Sequence, residues 1–281
     1  MRLFLLTTLT MTAFAANSLL NRMALAGGGI DATSFGTIRL VAGAVTLAAL
    51  VVVLRGVPRL GGPGRVTGVA ALLVYVYGFS AAYAALDAGL GALILFAVVQ
   101  ITMFAGALVA GEPVPPRRYA GAGLALAGLA WMLWPVGAVQ VSPVHAALMA
   151  AAGVGWGIYS LAGRGGGDPL QATAANFVLA APLGLTLGVV IAPGAEFPAT
   201  RGIVLAVLSG AVTSGLGYAL WYAVLPRLAA SAAAVAQLSV PVIALAGGIV
   251  FLGEALGPRL ALASGLVMTG VALAALPARR G

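Results

Sequence analysis

Amide side chains lie inside several long apolar runs of this chain, where polar groups are rare. Asn17, Gln100 and Gln237 each fall well within such a run. An amide donates and accepts hydrogen bonds without changing its charge. Two uses follow: recognition of a neutral or zwitterionic solute with an apolar side chain, or hydrogen bonding between neighbouring helices. The residues alone leave both uses open.

Aromatic residues recur at helical spacing in the same kind of run. Tyr75, Phe79 and Tyr83 fall near one face of a single predicted helix, and two later runs carry similar pairs. A buried tyrosine hydroxyl needs a partner, which favours a lined cavity, although membrane interfaces also collect tyrosine and tryptophan. We therefore predict a substrate site made of amides and rings: Asn17, Phe79, Tyr83, Gln100, Trp156, Tyr159, Tyr218, Tyr222 and Gln237.

Ionisable groups near the apolar runs suggest gating or structural roles. Arg39 lies inside a predicted helix, where an unpaired charge costs several kcal/mol, so it either has a function or snorkels towards the surface or backbone carbonyls. Glu112 and Glu254 follow the last apolar turn of the fourth and ninth runs. Each carboxylate either accepts from the amides that open the next helix or acts as a gate at one membrane face. Pro241 joins this gating or structural set.

Some chemistry is missing from the sequence. There is no cysteine, the single histidine, His145, lies near the start of the sixth run, and no acidic residue lies in the middle of a run. We therefore predict no catalytic residue, no metal, no cofactor and no carboxylate proton relay, and we expect facilitated movement of a solute. An enzyme acting on lipid-linked substrates is an alternative, but its candidate acids and His145 are scattered. A passive channel or non-transporting subunit is another.

The composition indicates an integral membrane protein. The chain has 281 residues, of which 62% are hydrophobic and 7% charged. About 20 apolar residues cross a bilayer, and the runs are continuously apolar, unlike the alternation of barrel strands. The predicted fold class is an all-α integral membrane protein of about ten transmembrane helices, at 2–25, 32–54, 66–86, 88–111, 115–135, 143–163, 169–192, 202–225, 229–253 and 257–277.

The chain repeats itself at a spacing of 142 residues. Gly111 and Glu112 match Gly253 and Glu254, and the Pro-Arg pair at 116–117 matches the one at 258–259. Because each unit has an odd number of helices, the chain leaves the first unit on the other side of the membrane, and the second copy has the inverted orientation. We predict two inverted five-helix repeats, 1–138 and 139–281. Such repeats can pack in two ways that open a central site to either side, which is the architecture of alternating-access transporters.

The charge pattern predicts how the chain lies in the membrane. The formal net charge is +8, all of the basic residues are arginine, and they punctuate apolar runs, so we expect lipid and a small-molecule solute as partners and no nucleic acid. The arginine bias places both termini in the cytoplasm, in a bacterial inner membrane. The first run also fits a cleavable signal peptide, but Asn17, Asn21 and Arg22 interrupt it. The oligomeric state stays open.

The chain resembles the duplicated drug/metabolite transporters of the EamA type over essentially its whole length. The residues that carry the resemblance are Ala16, Asn17 and Ser18, then Ile38, Arg39 and Leu40, the two Gly-Glu pairs, and Pro241. Val99 departs from the pattern, because it stands where Pro241 stands in the other half. Within this family, the predicted aromatic-rich cavity looks most like that of the YddG-type exporters of aromatic and other hydrophobic amino acids. This resemblance alone implies amino acid export, with a drug or another metabolite as alternative solutes.

Overall fold

The structure is a computed structural model that describes residues 1–111, 115–134, 141–163, 167–192, 196–228 and 236–275. Every regular element in these ranges is helical, which confirms the all-α prediction for the described part of the chain. The helices are α1 (Arg2–Leu25), α2 (Ala32–Arg55), α3 (Arg65–Tyr83), α4 (Ala88–Val109), α5 (Pro116–Leu133), α6 (Pro143–Ala162), α7 (Pro169–Ile191), α8 (Thr200–Val224), α9 (Ser239–Leu252) and α10 (Pro258–Ala275).

Local sequence explains where several helices begin. Asp31 precedes α2, and its carboxylate accepts from the backbone amides of Thr33 and Ser34 at 2.9 Å each. Proline occupies the first turn of α5, α6 and α7, where the missing amide hydrogen costs nothing. These caps and prolines separate the apolar runs, which is why most described helix ends lie within a few residues of the predicted ones. The exception is the start of α9 at Ser239, since the predicted start at 229 lies outside the described residues.

Helix α8 changes its winding in the middle. Residues Ser209–Leu216 are wound as a π-helix between two α-helical parts, Thr200–Leu208 and Gly217–Val224. Short π stretches within α-helices are frequent at functional sites. This stretch packs against α2, and Gly210 permits the contact because any side chain there would collide with the backbone carbonyl of Arg39.

The helices of the first half pack mainly against helices of the second half. Helix α3 lies on α6, α2 lies on α7 and on the π-helical stretch, α4 lies on α6 and α9, and α1 lies on α8 and α9. Helices α5 and α10 form a pair of their own, in which Gly121 and Gly270 bring the two backbones into close approach. The centre of the bundle is therefore an interface between the two halves of the chain.

The outer surface of the bundle suits lipid. Large apolar side chains such as Phe4, Val53, Val189 and Phe251 are more than two-thirds exposed. Among the described residues, seven helices are long and apolar enough to cross a membrane. The protein is thus a multi-pass membrane protein. The count of ten spans and the inverted repeats stay predictions, and the predicted boundary after residue 138 lies outside the described residues.

Candidate solute-binding cavity

A small cavity lies at the centre of the bundle, where five helices from both halves meet. It is walled almost entirely by aromatic and apolar side chains, with polar groups from α1, α3 and α8 at one side. Its lining residues are Phe14, Asn17, Ser18, Tyr75, Phe79, Leu95, Phe96, Trp156 and Tyr218. About 20 Å³ of it is open to the centre of a water molecule, and roughly 10–15 Å³ holds one water. A larger solute therefore requires the walls to move apart.

Trp156 is the hub of the aromatic wall. Its ring lies 4.9 Å from the Tyr75 ring and 4.9 Å from the Tyr218 ring, between centroids, and Phe14 meets it edge to face at 6.4 Å. Tyr159 stacks on Trp156 with ring centroids 5.4 Å apart and an interplanar angle of 17°. Offset and edge-to-face contacts of this kind stabilise the arrangement of rings and present flat apolar faces to the cavity.

Asn17 links the cavity to a cluster of hydroxyl groups on α8. Its side-chain oxygen accepts hydrogen bonds from Ser209 Oγ at 2.6 Å and from Thr213 Oγ1 at 3.0 Å. Its amide nitrogen donates to the Tyr75 hydroxyl at 3.5 Å, the outer limit for such a bond. Asn21, one turn further along α1, donates to the Asn17 backbone carbonyl and accepts from Ser80 Oγ. The amide orientation is thus set by partners on three helices.

Arg39 lies directly behind this wall and is completely buried. Its Nε donates to Ser214 Oγ at 3.0 Å and its Nη2 donates to the Tyr75 hydroxyl at 2.9 Å. The guanidinium carbon stands 5.0 Å from the centroid of the Tyr75 ring and 5.1 Å from that of Phe79. The alternative that Arg39 snorkels to the surface or to backbone carbonyls is therefore wrong, because its partners are buried side chains at the centre of the bundle.

The structure brings part of the predicted substrate site together. Asn17, Phe79, Trp156 and Tyr218 line the cavity. Others of the predicted set lie behind the wall or elsewhere: Tyr83 packs edge to face on Phe79 and donates to the Ala88 carbonyl, Tyr159 stacks on Trp156, and Gln100, Tyr222 and Gln237 are partly buried away from the lining. The binding role of each residue stays a prediction.

The predicted site omitted residues that the structure places in the lining. Phe14, Ser18, Leu95 and Phe96 are lining residues for which apolar composition gives no distinguishing signal. Tyr75, which the sequence placed on the same helical face as Phe79, is the residue that joins Arg39 to the cavity. The hydroxyls of Ser209 and Thr213, which bond Asn17, have no distinguishing signal in the sequence, because such hydroxyls in apolar helices commonly bond to the carbonyl one turn back.

Glu254 closes one end of the bundle together with two charged residues. Both carboxylate oxygens accept from the backbone amide of Ala88, at 2.9 and 3.0 Å. Arg22 Nε stands 3.5 Å from Glu254, and Arg22 Nη2 stands 3.2 Å from Asp87. We call Arg22, Asp87, Glu254 and the Ala88 amide the latch. It ties the end of α1, the start of α4 and the end of α9 to one another.

The latch corrects one interpretation of the sequence. Glu254 was expected to accept from the amides opening the next helix along the chain, yet it caps α4, which begins 166 residues earlier. Gly253 makes this possible, because its left-handed backbone (φ 66°, ψ 23°) turns the chain at the end of α9. Burial raises the pKa of the Glu254 carboxyl, and nearby Asp87 adds to this, while the Ala88 amide and Arg22 oppose it. Glu112 lies outside the described residues.

The opposite end of the bundle is held by polar contacts of α7. Arg55 Nε pairs with Asp168 Oδ2 at 2.6 Å, and Asp168 also accepts from the Leu170 amide at the start of α7. Arg65, at the start of α3, donates to Asn176 Oδ1 and to the Ala172 carbonyl at 2.7 Å each. Pro241 is buried near the start of α9. The cavity therefore lies between two ends that both carry polar ties between the halves.

The site and the fold define a multi-pass membrane protein with an aromatic cavity between its two halves. The profile of the EamA-like transporter family matches residues 145–276. A Pseudomonas aeruginosa protein, the uncharacterized protein PA1977, is 47% identical over 255 residues, which cover 91% of this chain and 88% of the relative. The chain belongs to the EamA-like transporter family, and this membership indicates a membrane transporter of small metabolites.

A solved crystal structure of another protein has the same fold. It superposes with a TM-score of 0.66 and covers 95% of this chain and 98% of that chain, at 23% sequence identity. At that identity the likeness shows the fold alone.

Within the described residues, no group of three or more acidic or histidine side chains could hold a metal ion. His145 bonds Ser142 Oγ at the start of α6, and the acids that the structure describes lie at helix ends or, for Glu196, in the loop before α8.

Proposed function

We propose that this protein exports aromatic and other hydrophobic amino acids, or similar small metabolites, by alternating access across a bacterial inner membrane, with both termini in the cytoplasm. The observation that carries the proposal is the cavity at the interface of the two halves. It combines the flat rings of Trp156, Tyr75 and Phe14 with the polar groups of Asn17 and Tyr218. Rings suit an apolar side chain, and the polar groups suit the head of an amino acid.

Alternating access is supported by the location of this cavity. It lies between helices of the first half and helices of the second half, and polar ties between the halves lie at both ends. The small volume of the cavity fits a conformation closed around its centre. If the tie at one end opens while the other stays closed, the centre connects to a single side of the membrane.

The transport test uses the purified full chain in liposomes. Vesicles loaded with unlabelled phenylalanine should accumulate labelled phenylalanine by counterflow, with an initial rate that saturates and is competed by leucine and tryptophan. Trp156→Ala should lower the rate at least tenfold, because it removes the hub of the ring wall. Gly123→Ala is the matched control, because an added methyl group at that helical position meets no atom within 4 Å.

Three outcomes would count against the proposal or its mechanism. Absence of phenylalanine, leucine and tryptophan counterflow from folded protein would exclude hydrophobic amino acids as solutes. Flux that rises linearly with concentration and is not competed would indicate a passive pore instead of alternating access. An imposed pH gradient that drives uphill accumulation would contradict facilitated movement and require a proton-coupled mechanism.

A further inference from the structure

Arg39 is a buried cation behind the wall of the cavity. We propose that its guanidinium is the counter-ion for a carboxylate on the solute, and that the site therefore selects carboxylates with an aromatic or branched apolar tail. An ammonium group on the solute is not required. This inference rests on the proposed function and names the solute class more closely.

The first support is the charge balance around Arg39. No atom of its side chain is exposed, and no carboxylate of the described residues lies within ion-pair distance of it. Its partners Ser214 and Tyr75 are neutral hydroxyls, and the Tyr75 and Phe79 rings supply only cation–π attraction. Neutral partners orient the guanidinium but do not neutralise it. A buried cation in the membrane interior is costly until an anion pairs with it.

The second support is donor groups that are not used within the described structure. Arg39 Nη1 is buried and makes no hydrogen bond there, and the buried Tyr218 hydroxyl lies near the guanidinium without the geometry of a full hydrogen bond. The Tyr75 hydroxyl accepts from Arg39 and from Asn17, so its own hydrogen points to a further acceptor, which is the neighbouring Tyr218 hydroxyl or a solute in its place. Tyr75 and Tyr218 both line the cavity. A carboxylate there meets two hydroxyl donors backed by a positive charge.

The third support is the lack of a partner for a second, positive group. The side-chain oxygen of Asn17 already accepts from Ser209, Thr213 and Asn21. None of the residues that line the cavity in the described structure is acidic. An ammonium group would find ring faces but no anion, and Arg39 would repel it. We therefore expect the deaminated carboxylate to bind at least as tightly as the amino acid.

Four related compounds separate these contributions in an equilibrium binding experiment on the purified full chain in detergent at pH 7. Phenylalanine carries both groups, 3-phenylpropionate carries only the carboxylate, and phenylalaninamide and phenethylamine carry only the amine. The expected dissociation constant of 3-phenylpropionate is equal to or lower than that of phenylalanine. The amide and the amine should bind at least tenfold more weakly than phenylalanine. Equal binding of phenylalanine and its amide would overturn the inference.

Variants locate the effect at Arg39. Arg39→Gln keeps hydrogen-bonding capacity without charge, so the ratio of carboxylate to amide affinity should fall at least tenfold, and Arg39→Lys should restore part of it. Arg65→Gln is the matched control, because it removes an arginine that ties α3 to α7 away from the cavity lining. An unchanged ratio in folded Arg39→Gln would overturn the inference. If that variant does not fold, the compound series on the unaltered protein decides alone.

The outcomes for the two proposals differ. If phenylalanine binds and its amide binds as well, the inference fails while amino acid transport stands. If 3-phenylpropionate binds but phenylalanine does not, and phenylalanine, leucine and tryptophan show no counterflow, amino acid transport fails while the role of Arg39 stands. If none of the four compounds binds to folded protein, both fail.

Discussion

The carboxylate of Glu254 caps α4 from the other half of the chain, with both oxygens within 3.0 Å of the backbone amide nitrogen of Ala88. Helix α4 lacks a cap from its own neighbouring residue Asp87, whose side chain makes no bond to the first turn. Glu254 therefore performs for α4 what an adjacent capping residue performs for α2. Because the cap comes from the end of α9, it also joins two helices of different halves.

Substitution of Glu254 should separate the cap from the charge. Glu254→Gln keeps an oxygen that can accept from the Ala88 amide, whereas Glu254→Ala removes every acceptor. The alanine variant should lose about 1 kcal/mol, the usual contribution of a helix cap, and the glutamine variant should lose less. Thermal unfolding of both variants in the same detergent measures the difference. Equal loss in the two variants would mean that the charge, not the cap, stabilises this end.

The pH dependence of stability offers a second test of the latch. Burial holds the pKa of Glu254 above its ordinary value of 4.5. The folded protein therefore binds this proton more tightly than the unfolded chain, so stability falls as the pH rises from the ordinary value through the raised one. Glu254→Gln lacks this proton, and its stability relative to the unaltered protein should rise over the same window. A constant difference between the two proteins across that window would contradict the raised pKa.

Asp168 predicts the opposite pH trend at the other end of the bundle. Burial alone would raise the pKa of its carboxyl, but Arg55 and the amides of Leu170 and Gln171 lower it below its ordinary value of 3.8. Its contribution is present above the ordinary value and is lost as the pH falls through the lowered one. Asp168→Asn keeps the cap of α7 and should cost less than about 1 kcal/mol, because the ion pair is partly exposed.

Asp168→Ala, which loses both the cap and the ion pair, is the comparison for that variant and should cost about 1 kcal/mol more than Asp168→Asn. Unfolding midpoints at neutral and acidic pH measure both effects. An asparagine variant as unstable as the alanine variant would show that the pair with Arg55, and not the cap, is the main contribution of Asp168.

Close packing of α8 on α2 predicts strong sensitivity at Gly210. A methyl group there would collide with the Arg39 carbonyl and stand 2.8 Å from the Ala42 Cβ. We expect Gly210→Ala to lose about 1–3 kcal/mol, the usual effect of overpacking. In Gly123→Ala the new methyl group meets no atom within 4 Å, so this variant should be as stable as the unaltered protein or slightly more stable. The monodispersity and the melting temperature of the two purified variants measure this difference in stability. Equal melting temperatures for Gly210→Ala and Gly123→Ala would contradict the close packing of α8 on α2.

If the cavity holds the solute, substitutions of its lining residues should lower the transport rate more than substitutions of residues away from the lining. Trp156→Ala and Tyr75→Phe change the lining, whereas Gln100→Ala and Gln237→Ala change residues away from it. The first pair should lower the initial rate of phenylalanine counterflow at least tenfold and the second pair less than about twofold. Rates normalised to the amount of reconstituted protein make the comparison. The reverse order would shift the solute site away from this cavity.

Much of the helix layout could be predicted because apolar runs and their boundaries are local features. Helix α1 ends at Leu25, as its run does, α2 ends one residue after the run 32–54, and prolines mark the starts of α5 to α7. Pairings across the bundle could not be predicted in the same way. Nothing near Glu254 indicates that its partner is Ala88, and nothing near Arg39 indicates Ser214, which lies 175 residues later.

The hydroxyl cluster of α8 shows a further limit of the sequence. Serine and threonine in an apolar helix can bond to the carbonyl one turn back, as Thr213 does to Ser209, so their presence carries little information. Their role here depends on the π-helical stretch and on its contact with Asn17, and both are properties of the packed bundle.

The central claim is that the cavity walled by Trp156, Tyr75 and Tyr218 holds the solute. Photo-crosslinking tests it most directly, with a diazirine analogue of phenylalanine on the purified chain and mass spectrometry of the labelled peptides. The account predicts labels on the lining segments of α1, α3, α4, α6 and α8, suppressed by excess phenylalanine. Labels confined to other helices, with the same suppression, would contradict it.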